Sequence, residues 1–177
     1  SKHVFDLWVL RQKKSSPRWY GLKYFNVYGP WEAHKGNMAS TAYQKICEAV
    51  DTAVIRLFKS HREEYDHGEQ KRDFVYVNDV TEMMKHLFLS KNVPSGIYNA
   101  GTGTTRSFND LANSIITSIE RTATIKYFDM PVELRDGYQY FTESDMTKFL
   151  SFKPDYTPMP LEEGIKRYIG WLHSSSS

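Results

Sequence analysis

The sequence predicts an α/β fold, and three observations carry that reading. Short runs of β-branched and aromatic residues alternate with helix-period segments along nearly the whole chain. Some of the strand-like runs are apolar throughout, as expected of strands buried on both faces and at least partly parallel. Ser, Pro and Gly clusters punctuate the alternation. The chain opens directly on a helix-like segment, so the first strand of a self-contained α/β domain is expected to lie before Ser1.

The elements follow in order. Residues 3–14 predict a helix with apolar Val4, Leu7, Trp8 and Leu10 and basic Arg11, Lys13 and Lys14 at its C-terminus. Ser15-Ser16-Pro17 breaks it. Residues 19–27 form a near-continuous apolar and aromatic strand, and a long loop with Gly29-Pro30 follows over 26–37. Residues 38–50 predict a helix and 53–58 a short β-branched strand. The most polar stretch, 59–72, reads as a loop or short hairpin. A strand at 74–77 leads to a helix capped by Asn78 or Asp79 and ending near Leu89. Another strand spans 96–100, Gly101-Thr102-Gly103 turns the chain, and Ser107 caps a helix over 108–119. A strand covers 124–128. Thr142-x-x-Asp145 approximates a capping box for a helix over 143–150. The last helix has Pro160 in its first turn and Leu161, Ile165, Tyr168, Ile169 and Leu172 on one face. Residues 174–177 read as a disordered or tag-like tail.

Composition narrows the function. The 177 residues suit one domain, or one and part of another. Lys and Arg number 23 against 21 Asp and Glu, a balance unlike the strongly basic face of a dedicated nucleic-acid binder. Four Trp, twelve Tyr and ten Phe can build a core and line a pocket with rings. The single Cys47 excludes an intramolecular disulfide and a multi-cysteine zinc cage. No apolar run approaches the ~20 residues of a membrane span. The six histidines show no i, i+4 pair, so no metal site is expected.

Local motifs are ambiguous alone. Gly101-Thr102-Gly103-Thr104-Thr105-Arg106 has the strand–turn–helix context of a dinucleotide fingerprint, but Arg106 stands where the third glycine belongs, which favours a tight turn. Lys71 and Arg72, with Lys59 and His61, are either a solvated charged loop or a cationic rim for a phosphate, since a guanidinium matches phosphate oxygens in pairs. Lys35 in a loop is a candidate acid or base only where its surroundings lower its pKa.

Three stretches together resemble the extended short-chain dehydrogenase/reductases that act on nucleotide sugars: Tyr24-Phe25-Asn26-Val27-Tyr28-Gly29-Pro30, Arg72-Asp73-Phe74-Val75-Tyr76-Val77-Asn78-Asp79 and Tyr98-Asn99-Ala100-Gly101. Within them, His34-Lys35-Gly36-Asn37-Met38-Ala39-Ser40 is similar to the matching segment of the ADP-heptose 6-epimerase family. Ser1-Lys2 resembles the end of the superfamily's Tyr-x-x-x-Lys pair, whose tyrosine would precede this chain, as would the Gly-rich cofactor loop.

The resemblance implies a fragment of an extended Rossmann-type fold, mainly the smaller C-terminal substrate-binding lobe. Residues 1–30 would be the tail of the NADP-binding domain, and 31–173 the substrate domain with returning Rossmann elements. It implies oxidation of C6 of an ADP-heptose to a ketone and re-reduction on the other face, in the cytoplasm, for lipopolysaccharide precursor synthesis. The oxygen then occupies two positions in turn, so two acid/base groups are needed. Lys2 would hold the nicotinamide ribose and lower the tyrosine's pKa by its charge. Lys35 would be the second acid/base group, also beside the cofactor, and Val27 would touch the cofactor through its backbone. Asn26, Asn37, Gln44, Phe58, Lys59, Ser60, His61, Arg72 and Tyr138 would contact substrate, Arg72 clamping the pyrophosphate. The implied partners are the ADP-heptose substrate, the remainder of the protein and further copies in a homo-oligomer, with no nucleic acid or membrane. The rival readings are another nucleotide-sugar epimerase or dehydratase, and a sugar-nucleotide-binding module without chemistry.

Overall fold

A computed structural model describes residues 2–12 and 18–175. Helix α1 (Lys2–Leu10) stands where the first helix is predicted, and none of its residues is buried. The predicted basic end at Lys13 and Lys14 and the break at 15–17 lie outside the described residues. The predicted strand over 19–27 is two strands, β1 (Tyr20–Tyr24) and β2 (Asn26–Tyr28). A 3-10 turn, Ala33–Met38, occupies part of the predicted loop. Helix α2 (Thr41–Thr52) follows, its N-terminus capped by Ser40, whose hydroxyl accepts from the Tyr43 amide. Ala53 closes it in the left-handed conformation and leads into β3 (Val54–Phe58).

The polar stretch is not a hairpin. Its last residues form β4 (Lys71–Arg72), which pairs antiparallel with β7 (Arg106–Ser107), far along the chain. Strand β5 (Phe74–Tyr76) and helix α3 (Val77–Leu89) come next. The predicted cap at Asn78 or Asp79 is corrected: the N-cap is Tyr76, with no side-chain bond, and the Asp79 carboxylate accepts from the Met159 amide at 2.9 Å. Tertiary packing recruits that carboxylate to hold the approach to the last helix. Strand β6 (Gly96–Ala100) precedes helix α4 (Phe108–Ser118), whose predicted Ser107 cap is present as a full capping box with Asp110. After β8 (Thr124–Phe128) comes an unpredicted turn of helix, α5 (Val132–Arg135). The helix predicted over 143–150 shrinks to α6 (Thr147–Leu150), because Asp145 accepts from the nearby Thr147 amide and Ser144 is held elsewhere. Helix α7 (Leu161–Ser175) buries Leu161, Ile165, Tyr168 and Ile169 on the predicted face. It takes in Ser174 and Ser175, which the sequence places in a tail.

The sheet pairing explains the break at Phe25. Strand β1 pairs parallel with β6, from Tyr20 opposite Gly96 to Tyr24 opposite Ala100. Strand β2 pairs parallel with β5, from Asn26 opposite Phe74 to Tyr28 opposite Tyr76. Between them the Phe25 amide donates to the Ala100 carbonyl at 3.1 Å and the Asn26 amide to the Asp73 carbonyl at 3.0 Å. The chain therefore changes partner between residues 25 and 26. Strand β3 pairs parallel with β8.

Two hydrophobic cores result. The larger gathers Ile46 and Ala49 of α2, Ile55 and Leu57 of β3, Leu111 and Ile115 of α4 and the inner face of α7. The smaller joins Met83 and Leu87 of α3, Tyr98 of β6 and Phe149 of α6. Burial of each large apolar side chain contributes roughly 1.5–3 kcal/mol. Trp8 and Leu10 are more than half exposed. Phe25 is half-buried in the seam between the two ladders.

Candidate functional site

Beside the start of β2, a cavity of about 340 Å³ opens. Its wall includes Asn26 from the start of β2, Gln44 from α2, Phe58 from the end of β3, Arg72 from β4 and Tyr138 from the loop after α5. These five stand far apart in sequence, and all are among the residues singled out for substrate contact. Phe108 and Phe128 complete a ring-lined interior. Phe58 packs on Phe128 at 4.8 Å and edge-on to Tyr138 at 6.0 Å between ring centres.

Arg72 is the electrostatic centre of this cavity. Its guanidinium lies 5.2 Å from the Tyr138 ring centre and 5.6 Å from that of Phe108, and Nη1 donates to the Lys71 carbonyl at 2.8 Å. Burial lowers its pKa from the ordinary value. Among the described residues it has no carboxylate partner. A half-buried guanidinium held between rings, with unused donors facing a cavity, is suited to an anion. Burial likewise raises the Tyr138 hydroxyl, against the charge of Arg72, so it stays a neutral donor.

A second cleft, about 280 Å³, shares Asn26 and Thr41 with the first and is also lined by Phe25 and Val27. A third, about 750 Å³, shares Phe25 with the second and lies between α1 and β1, with Lys2, Asp6 and Lys23 in its wall. Asp6 and Lys23 are ion-paired. The three clefts are neighbours, with Phe25 bordering the second and third and Asn26 and Thr41 bordering the first and second.

Other selected residues stand apart. Lys35 and Asn37 are exposed on the 3-10 turn and line none of these clefts, though the Asn37 carbonyl accepts from Gln44 Nε2 at 3.0 Å. The expected cationic rim of Lys59, His61, Lys71 and Arg72 does not form as one group. Lys59 turns to Asp129 at 3.2 Å. Ser60 Oγ donates to the Arg62 carbonyl, and the Tyr140 hydroxyl meets His61 Nδ1 at 2.8 Å. Of the segment 58–61, only Phe58 reaches the cavity wall. No group of three or more His, Cys, Asp or Glu able to hold a metal occurs among the described residues.

Two acidic residues were not singled out by sequence. Asp73, fully buried, accepts from the Thr102 amide and hydroxyl, the Gly103 amide, and the Ser144 amide and hydroxyl. Glu32, also buried, accepts from the Gly29 amide, the Ser40 amide and hydroxyl and the Tyr168 hydroxyl. The signal for Asp73 was its place in Arg-Asp-Phe. Its bonds also settle the Gly101–Gly103 turn. The Thr102 and Gly103 amides, which a phosphate would need, are already spent on this carboxylate, so this is a structural turn.

The residues present fit one end of a dinucleotide. An ammonium at Lys2 and the backbone at Val27, in adjoining clefts that share the Phe25 ring, suit a nicotinamide ribose. With the Gly101–Gly103 amides occupied, that turn does not fit the dinucleotide's own pyrophosphate.

Comparison with known proteins agrees with this geometry. Residues 1–101 match the NAD dependent epimerase/dehydratase family, and the chain belongs to it. Among curated relatives, the ADP-L-glycero-D-manno-heptose-6-epimerase of Fusobacterium nucleatum is 42% identical over 175 residues, covering 96% of this chain and 52% of that protein. The enzyme of the same name from Nitratidesulfovibrio vulgaris is 40% identical over 169 residues, with the same coverage. The crystal structure of the Helicobacter pylori ADP-L-glycero-D-manno-heptose-6-epimerase superposes with a TM-score of 0.77 at 31% identity, over 97% of this chain and 49% of that one. A UDP-N-acetylglucosamine 4-epimerase from Methanobrevibacter ruminantium shares the fold, at a TM-score of 0.78 and 21% identity. The chain spans about half the length of the curated relatives it matches.

Proposed function

We propose that this chain is the substrate-binding part of an NADP-dependent epimerase that inverts C6 of the heptose in ADP-D-glycero-D-manno-heptose, a cytoplasmic step toward lipopolysaccharide. The supporting observation is convergence: Asn26, Gln44, Phe58, Arg72 and Tyr138, read from scattered motifs, wall one cavity. Relatives at 40–42% identity carry that activity in their names. Residues 1–30 belong in this reading with the cofactor domain and 31–173 mainly with the substrate lobe, and the whole protein assembles as a homo-oligomer.

The chain's own residues divide the work. Arg72 takes the pyrophosphate, because a desolvated guanidinium gains more from an anion than an exposed one does. Phe58 and Tyr138 exclude water from the nucleotide and present ring faces to it. Asn26 orients the sugar at the junction of the first two clefts. NADP+ held at Lys2 and Val27 would supply the hydride chemistry at C6, removal and return. Lys2 steadies the ribose end in the third cleft. Lys35 supplies the proton to the C6 oxygen in the second of its two positions, reaching it from the exposed 3-10 turn.

Substrate choice tests this reading. The full-length protein is expected to turn over ADP-heptose and to leave UDP- and dTDP-sugars unchanged. Turnover of the latter with none of the former would transfer the chain to another nucleotide-sugar epimerase or dehydratase. Binding without any turnover would leave a module lacking chemistry.

A further inference from the structure

The turn that carries Lys35 is closed by one carboxylate. Glu32 is 5% exposed and has no cationic partner among the described residues. Its Oε2 accepts from the Ser40 amide at 2.7 Å. Its Oε1 accepts from the Gly29 amide at 3.3 Å, the Ser40 hydroxyl at 2.7 Å and the Tyr168 hydroxyl at 3.0 Å. Gly29 and Ser40 are the two ends of the segment containing Lys35, so one side chain ties the segment's base shut. Tyr168 anchors that base to α7 in the larger core. Burial and the Glu32 charge raise the Tyr168 pKa, so its hydroxyl remains a donor. The Glu32 carbonyl also accepts from the Lys35 amide at 3.0 Å.

The same contacts reach the cavity wall. The Ser40 hydroxyl donates to Glu32 and accepts from the Tyr43 amide, which caps α2. Helix α2 carries Gln44, whose Nε2 holds the Asn37 and Ala39 carbonyls at 3.0 Å each. Inside the loop, Gly36 adopts φ +52° with open space around it. A segment with a rigid base and a permissive glycine beside Lys35 lets the lysine swing while its origin stays fixed.

We propose that Glu32 is the positioning residue for Lys35: its carboxyl group closes the 29–40 loop and sets where the lysine meets the sugar. This rests on the acid/base role given to Lys35 above. A glutamine can keep its oxygen on the Ser40 amide and donate its NH2 to the Ser40 and Tyr168 hydroxyl oxygens, but that NH2 then meets the Gly29 amide, donor against donor, and the tie to that end of the loop is lost.

The test uses the full-length protein with ADP-heptose and compares Glu32→Gln, Lys35→Ala and the double variant. Glu32→Gln is expected to lower kcat about 10–100-fold with KM changed less than about threefold. The double variant is expected to be no slower than Lys35→Ala alone, because Glu32 acts through Lys35. Multiplying losses would mean general damage to the fold and overturn the proposal. A slow Lys35→Ala beside a near-normal Glu32→Gln would overturn the role of Glu32 and leave the proposed function intact. A near-normal Lys35→Ala would remove both roles. Should Glu32→Gln fail to fold, Tyr168→Phe removes a single donor, and Ser40→Ala removes one donor together with the α2 cap. They are expected to lower kcat about 3–10-fold, and unchanged kcat in both would refute the idea.

Discussion

Replacing Asp73 by alanine tests the packing beneath the cavity. The carboxylate is wholly buried and accepts five hydrogen bonds at 2.5–3.1 Å, from Thr102, Gly103 and Ser144. The two hydroxyls can turn to other acceptors, as Thr102 Oγ1 already reaches the Thr104 carbonyl. The Gly103 amide lies at an exposed residue and can take a water. The Thr102 and Ser144 amides lose their acceptor away from solvent, at about 1–3 kcal/mol each. With the cavity left by the side chain, the expected loss is about 3–5 kcal/mol, out of a typical stability of about 5–15 kcal/mol. Urea unfolding followed by tryptophan fluorescence measures it, with the slope unchanged. Gly101→Ala adds an internal control. An alanine Cβ there would stand 2.7 Å from Asp73 Oδ2 and press on Ser144. Its cost should therefore shrink in the Asp73→Ala background. A loss below about 1 kcal/mol for Asp73→Ala, or strict additivity with Gly101→Ala, would refute the argument that this carboxylate organises the turn.

Four further outcomes are expected. Arg72→Ala in the full-length protein should mainly raise KM for the nucleotide sugar, roughly 10–100-fold, and an unchanged KM would remove the clamp role. The 177-residue chain alone, given NADP+, should show no epimerase activity, and measurable turnover would contradict the role given to the cofactor domain. Stability should fall as pH drops through the carboxylate range. Glu162, bonded to Arg106, and Asp110, where burial is outweighed by Arg106 and the Ser107 hydrogen bonds together, have folded pKa values below their ordinary ones. Their contribution is present above the unfolded pKa and is lost as pH falls through the folded pKa. Arg106→Ala should flatten that acid slope in a pH series of denaturation midpoints. Asp79 runs the other way: burial raises its pKa, so its ionisation near neutrality costs stability. Asp79→Asn, which can still accept from Met159, should leave the midpoint at pH 7 equal or higher and converge with the parent at low pH.

What the sequence made legible was what neighbours along the chain decide. The Ser107 cap and the buried face of α7 depend on residues three or four apart, and both stand as read. Asp79 failed as a cap because Met159, 80 residues on, claims its carboxylate. Of the two readings of 59–72, the loop stands and the hairpin does not, because β4 finds its partner at 106–107. The cavity residues were recognisable through family motifs, Arg72 above all, and the structure then gathered five of them. Lys59 and His61 came from the same resemblance as Phe58, and the partners the fold gives them, Asp129 and Tyr140, lie about 70 to 80 residues further on, beyond the reach of a local reading. Glu32 was invisible because its four donors come from residues 29, 40 and 168, a grouping only the fold creates.

The exchange of partners between Phe25 and Asn26 has a consequence for how such a site can change. Two neighbouring ladders that diverge leave a crevice whatever side chains border it. The cleft beside that junction, walled by Phe25, Asn26 and Val27, owes its place to backbone pairing and its chemistry to replaceable linings. Selection can re-letter those linings one at a time, exchanging one carbohydrate cargo for another, without touching the hydrogen bonds that keep the hollow open. Homologues with the same outline and unlike cargoes are what such an arrangement leaves behind.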